Sequence, residues 1–220
     1  VETLQIIKVS IVLRRFSKME LRNKIISSAT SLFFRLGAKG VTTDDISREA
    51  GISKKTLYKE FNDKEEIISS VCENTLKAQL FMMEEISSVS KDPVHEIILT
   101  GNHISKVFGM INPVLLFELK RYYPEAWNLL NQFKKNHVKK ILERNLKKGI
   151  ELGIYRSNLN VSLMAYYRLA QFDLAFEPTV FPMDKLSLGE IQLNLLDHFL
   201  HGITTLKGHK LINKYKNLKE

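Results

Sequence analysis

Residues 42–61 read TTDDISREAGISKKTLYKEF, and the fold turns on them. Thr42 and Thr43 are cap candidates for a short helix. Asp44 and Asp45 fill its first turn, where carboxylates complement the positive helix end. This helix ends at Ala50-Gly51, and Ser53 caps a second one over 54–61. Ala50 lets two helices cross closely, and Gly51 accepts the left-handed backbone that a tight helix-to-helix turn needs. At about 100° per residue, Leu57 and Phe61 share one side of the second helix, facing Ile46, Ile52 and whatever precedes them. Lys55 and Lys59 fall opposite, Thr56 and Tyr58 flank them, and Lys54 sits at the N-terminus. Lysines neutralise phosphates and release counterions. Hydroxyls can bond a phosphate or a base edge, and the helix N-terminal amides add a phosphate site. The segment therefore reads as a helix-turn-helix whose second helix faces DNA.

The flanks agree. Leu21, Ile25, Ala29, Leu32, Phe33 and Leu36 recur at helical spacing and stop at Gly37 and Gly40. Asn62 with Glu65 reads as a capping box opening a helix over about 63–88. Further helices are expected over 94–109, 113–122, 124–152, 160–177 and 188–206, broken at Pro93, Asn112-Pro113, Pro124, Gly153, Pro178 and Pro182. The stretch 178–187 is the longest loop candidate, and the basic tail 207–220 is expected to be loosely held. Strict apolar alternation and Asn-Gly or Asp-Gly hairpin turns are missing, so the class is all-α.

Charge follows the same division. Of the +9 formal net charge, residues 1–64 carry 13 Lys and Arg against 7 Asp and Glu, a net of +6. A basic head on a nearly balanced body is the pattern of a nucleic-acid-binding domain joined to something else. Cys72 is the only cysteine. Within one chain that leaves no disulfide and no cysteine-based zinc site, and it fits a reducing, cytoplasmic setting with Cys72 as a small core residue. No apolar run approaches the roughly 20 residues of a membrane span. Residues 4–13 (LQIIKVSIVL) are apolar but are followed by Arg14-Arg15 without a small-residue cleavage site, so a secretory signal is not expected. Met19 immediately precedes the first clean helical pattern, and residues 1–18 are read as an upstream extension or N-terminal arm.

Residues 20–65 resemble the DNA-binding head of TetR/AcrR-family transcriptional regulators. The likeness lies in LFFRLGAKGVTTDDI, AGISKKTLYKEF and NDKEEI, with Thr42-Thr43, Gly51, Ser53, Thr56-Leu57-Tyr58, Phe61 and Lys64 in the family order. The resemblance implies that Thr43, Tyr58 and Lys64 contact phosphates and that Lys54, Lys55, Thr56 and Lys59 face the major groove. Thr42 and Ser53 complete the expected DNA-binding set. Lys55 stands where a small residue is frequent, and Glu60 where Tyr or His is frequent. Glu60 either accepts from a cytosine amino group or points away from the duplex.

The expected organisation is thus a three-helix head over 19–65 followed by a helical effector-binding and dimerisation domain over 66–220. The resemblance implies that the last long helices, 160–177 and 188–206, pair with a second subunit. Leu188, Ile191, Leu195 and Phe199, on a stripe with Leu196 and Ile203, are the candidate dimer interface; the stripe could instead face its own subunit, or face both. Phe81, Phe108, Phe117, Tyr122, Tyr123, Trp127, Tyr166 and Phe172 are candidates to line a pocket for a small apolar or aromatic effector, against the alternative of ordinary core. His103 and His137 are read as surface or hydrogen-bonded residues before a polar pocket end. The run Lys134, Lys135, Lys139, Lys140, Arg144, Lys147 and Lys148 is read as the solvated face of a long helix before a second DNA contact. No close metal-ligand spacing, phosphate loop or nucleophile elbow appears. Neither a metal, a cofactor nor an enzymatic activity is expected. The expected partners are double-stranded DNA, a second copy of the chain and a small-molecule effector. The expected function is a dimeric regulator, of repressing sign in the family, released from a pseudo-palindromic operator by that effector. A small-molecule carrier with an inactive head is the competing reading, and the intact basic face of 54–59 argues against it.

Overall fold

The computed structural model describes residues 2–177, 179–181 and 185–217, with side chains from Met19 onward. The reading of residues 1–18 as an extension or arm concerns side chains outside that range, and the loop expected over 178–187 falls outside it in part. Eleven α-helices are present among the described residues: α1 (Glu2–Leu36), α2 (Thr43–Glu49), α3 (Lys54–Glu60), α4 (Lys64–Val89), α5 (Pro93–Met110), α6 (Val114–Tyr122), α7 (Pro124–Phe133), α8 (Lys139–Glu151), α9 (Val161–Leu174), α10 (Leu188–Ile203) and α11 (Leu206–Lys216). A π-helical turn, Lys134–Val138, joins α7 to α8. The nearest approach to a sheet among these residues is one isolated bridge between Tyr155 and Thr204. None of the helices is long and apolar enough to cross a membrane.

The helix boundaries follow local chemistry. Thr42 forms a reciprocal capping box with Asp45, and Ser53 accepts from the Thr56 amide. Between them the chain turns through a Schellman motif. Gly51 N–H donates to the Arg48 carbonyl and Ile52 N–H to that of Ser47, with Gly51 at φ 61°. At α4 the capping box expected from Asn62 and Glu65 lies one residue later. Asp63 accepts from the Glu66 amide, and the Glu66 carboxylate accepts from both Asn62 nitrogens. Arg22 sets this register. It holds the other Glu66 oxygen at 3.0 Å, while Ile67 and Ile68 turn into the core beneath α1.

Three apolar clusters organise the chain. The first gathers Ile25, Ala29, Phe33, Ile46, Leu57, Phe61 and Ile67 of the head, and also Leu115 and Leu119 of α6 and Ala126 of α7. Head and body therefore share one core. At roughly 1.5–3 kcal/mol for each large apolar side chain fully removed from water, that sharing is a substantial mechanical link. The second cluster joins α5, α8, α9, α10 and α11, and the third joins α5, α9 and α10.

Two expectations are corrected here. Residues 207–216 are not loose. The α11 helix is capped by Thr205, Ile212 is fully buried, and the Tyr215 hydroxyl bonds Asp92. Lysines on the outer face of a short helix mimic a basic tail in sequence. Nor do Leu188, Ile191, Leu195 and Phe199 form a face open to a partner. Leu188, Ile191 and Phe199 are buried within their own chain and Leu195 is half-buried, because α10 packs its apolar stripe along α5. The lysine run is divided too. Lys134 is buried and paired with Asp173, Lys139 pairs with Glu143, and Arg144 reaches Glu96 and Ser87. Lys135, Lys140, Lys147 and Lys148 are exposed. The π turn inserts an extra residue into the helical repeat at this point and shifts the faces that follow.

Candidate nucleic-acid interface and the cavity behind it

Burial of Leu57 and Phe61 fixes the roll of α3 against α1 and α2. The opposite side then carries Lys54, Lys55, Tyr58 and Lys59, all exposed. Lys55 and Lys59 form no ion pair with any described residue. Lys54 is held by Asp44 at 2.8 Å, a hydrogen bond and a charge pairing that both raise its pKa above the usual lysine value. The Thr43 and Tyr58 hydroxyls lie 3.1 Å apart, tying α2 to α3 and steadying the phenol at the surface. The Thr42 and Ser53 hydroxyls serve as caps, and the Thr56 hydroxyl lies 2.8 Å from that of Ser53. Lys64 is half-buried and donates to the Lys39 carbonyl at 3.1 Å; its desolvation lowers its pKa. The nine expected residues are therefore of two kinds. Lys55 and Lys59 are free cations, while the others also brace the local backbone or a neighbour.

Glu60 turns inward. Its Oε2 is buried and meets no hydrogen-bond partner among the described residues, so of the two sequence alternatives the structure shows the carboxylate away from the exposed face. Its main-chain carbonyl accepts from Arg22, whose guanidinium also stacks over Phe61 at 4.0 Å and bonds Glu66 and Ser70. Arg22 thus pins the C-terminal end of α3 to α1 and α4. It sits in a helix that reads only as amphipathic, and nothing local marks it.

The joint between head and body is a second feature that sequence reasoning missed. Glu118 of α6 is buried, and its Oε2 accepts from the Ala38 and Lys39 amides at 2.6 and 2.9 Å. Those amides follow Gly37, which stands at φ 82° and where a Cβ would lie 2.8 Å from the same Oε2. Asn112 closes the other side. Its amide donates to the Phe34 carbonyl and its side chain to that of Arg35. At the rim, the Lys39 ammonium lies 3.3 Å from the Tyr122 hydroxyl.

Behind this joint lies a cavity of about 210 Å³, walled mainly by aliphatic side chains of α4 to α10 and reaching Phe33 and Phe34 of α1. Of the eight expected aromatic residues, Phe108 and Phe172 line it, in a three-ring cluster with Phe176. Phe81, Phe117, Tyr122 and Tyr166 are exposed, and Tyr123 and Trp127 pack against the head core, so these six lie outside its walls. Cys72 also borders the cavity; burial raises its pKa to about 11, which leaves it a neutral thiol in the wall. His103 is hydrogen-bonded to Gln79, and His137 is exposed beside Phe133.

A capped helix-turn-helix with an outward basic face, carried on a larger hollow helical body, defines a DNA-binding transcriptional regulator. Comparison with known proteins agrees. Residues 25–71 match the family described as bacterial regulatory proteins, tetR family. The HTH-type transcriptional regulator YvaF of Bacillus subtilis is 23% identical over 173 residues, covering 74% of this chain and 85% of that protein. The biofilm operon negative transcriptional regulator IcaR of Staphylococcus epidermidis is 43% identical over 54 residues, 24% of this chain and 29% of that one. Among solved structures, the FadR regulator of Bacillus subtilis in complex with stearoyl-CoA superposes with a TM-score of 0.62 at 22% identity, covering 82% of this chain and 98% of that one. The head over residues 25–71 is thus of the tetR-family type, and the whole chain shares its fold with regulators that carry such a head.

Proposed function

We propose that this regulator is a repressor that binds a pseudo-palindromic operator as a homodimer, through α3, and leaves it when a small apolar molecule enters the cavity. The observation that carries this reading is that the head's own α1 forms part of the cavity wall, through Phe33 and Phe34. A ligand there touches the helix on which the reading head is mounted. Release then requires that the ligand bind more tightly to the conformation with misplaced heads. IcaR is a negative regulator, which supports the sign, and the stearoyl-CoA bound by FadR supports a ligand with an apolar chain. The head is residues 19–65 and the effector and dimerisation body 66–220. A cytoplasmic location fits DNA as partner.

The dimer face we assign differs from the α10 stripe. Leu163, Tyr166, Tyr167, Ala170 and Leu174 recur at helical spacing along α9 and are all exposed. A contiguous exposed apolar stripe of this kind is a protein-binding face, and a two-fold operator calls for a second copy. Changing both Leu163 and Tyr167 to Glu is expected to leave the melting temperature of the protomer nearly unchanged and to convert the dimer to monomer in analytical ultracentrifugation. A double variant that still sediments as a dimer would move the interface elsewhere.

The regulator reading is tested by anisotropy titration of DNA fragments, starting with the region upstream of the protein's own gene. The expected result is specific binding whose affinity falls steeply with salt. If every genomic fragment binds only as weakly as random DNA, the reading fails.

A further inference from the structure

Three charged side chains border the cavity: Glu96, Lys134 and Arg168. Two of them are neutralised locally. Glu96 lies 3.0 Å from Arg144 and 2.8 Å from Asn145, and Lys134 lies 2.5 Å from Asp173. Arg168 is different. It projects from α9 with only 7% of its surface exposed, and its Nη1 is buried without a hydrogen-bond partner among the described residues. Its Nη2 has one long contact, 3.4 Å to the Gln192 amide oxygen, and Gln192 is itself held by the Phe172 carbonyl at 3.0 Å. No carboxylate forms an ion pair with it among the described residues. Desolvation lowers its pKa to about 10, so it keeps its charge at neutral pH.

A buried, charged guanidinium without a counter-ion is among the most costly groups a protein can carry, and such groups concentrate at binding sites. Its planar fork of N–H donors matches a carboxylate in two-point contact. The rest of the wall is chiefly Leu, Ile and Val, with five phenylalanines and a few neutral polar side chains, and the space equals roughly seven water volumes at ~30 Å³ each.

We propose that the effector is a medium-length aliphatic monocarboxylate, its chain in the apolar cavity and its carboxylate paired with Arg168. The proposal rests on the cavity being the effector site and adds the chemistry of the head group. The enclosed position of Arg168 selects a compact anion, and the mainly apolar walls select a hydrocarbon chain over a polar body. The ligand completes an ion pair of which the protein supplies only the cationic half.

Isothermal titration of the full chain with octanoate, octan-1-ol, octylamine and octanoyl-coenzyme A tests this. Octanoate is expected to bind on the order of 10-fold or more tighter than the alcohol, the scale of a charge-assisted hydrogen-bonded pair, and the amine weakest. Arg168→Met should abolish the preference for acid while retaining alcohol binding, and Arg168→Lys should keep part of it. Exchange of an unpaired buried charge for an apolar group is commonly neutral or stabilising, so the Met variant should melt no lower than the parent protein. Equal binding of octanoate and octanol would overturn the carboxylate while leaving the cavity as an effector site. A preference for acid that survives in Arg168→Met, or tighter binding of octanoyl-coenzyme A than of octanoate, would also overturn it. Failure of all four probes to bind would overturn the proposal together with the assignment of the cavity.

Discussion

Glu118→Ala is expected to destabilise the chain by about 3 kcal/mol. The substitution leaves the Ala38 and Lys39 amides without their acceptor, Ala38 being fully buried, and it removes charge-assisted hydrogen bonds at 2.6 and 2.9 Å. Glu118→Gln separates charge from geometry. Both amides bond the same carboxylate oxygen, so a glutamine carbonyl can take its place, and about 1 kcal/mol should be lost. Urea denaturation of the three proteins measures both values. The alanine variant should also lower operator affinity at temperatures where it remains folded, because the mounting of α1 on α6 is loosened. A loss below about 0.5 kcal/mol for Glu118→Ala would mean that the shared apolar core alone holds the joint.

The second large effect is on DNA. Lys55→Ala with Lys59→Ala removes the two exposed cations of α3 that make no ion pair among the described residues, and the proposed dimer loses four charges. If each neutralises a phosphate, the slope of log affinity against log salt should fall by roughly 3–4, and affinity near physiological salt by about 100-fold or more. Stability should be unchanged, since both side chains are exposed. Lys54→Ala is the internal control. Its ammonium already pairs with Asp44 at 2.8 Å, so its release to a phosphate is offset and its loss should count for less. A double variant with unchanged slope would reject the outward roll of α3.

The head was legible because its signals are local. Caps, a turn glycine and an inward pair on a two-turn helix act over fewer than five residues, and Thr42, Gly51, Ser53, Leu57 and Phe61 do in the fold what their chemistry suggests. The body was legible only in helix number and approximate bounds. Periodicity in α10 shows that Leu188, Ile191 and Phe199 are buried; it carries no information on whether α5 or a second subunit covers them. The exposed stripe of α9 escaped notice because its tyrosines and leucines look like core on any wheel. Aromatic content likewise did not locate the cavity, whose walls are chiefly Leu, Ile and Val from many helices. Glu118, Arg22 and Arg168 were invisible for the same reason: each acts on a residue far away in the chain.

The joint at Glu118 has one further property. Every partner that Glu118 and Asn112 engage on the head side is main chain: the Ala38 and Lys39 amides, and the Phe34 and Arg35 carbonyls. Any residue type that fits offers the same groups, so the head's half of these hydrogen bonds tolerates substitution, with Gly37 and the fully buried Ala38 the exceptions. The body's half of these hydrogen bonds comes from two residues, Glu118 and Asn112, beside the apolar core that both parts share. Heads that keep that turn and the apolar residues of the shared core are therefore interchangeable at this seam. DNA preference can drift by exchange of α3 residues, or of whole heads, without renegotiating the connection to the body, while a body that loses its glutamate loses the same hydrogen bonds to every head at once.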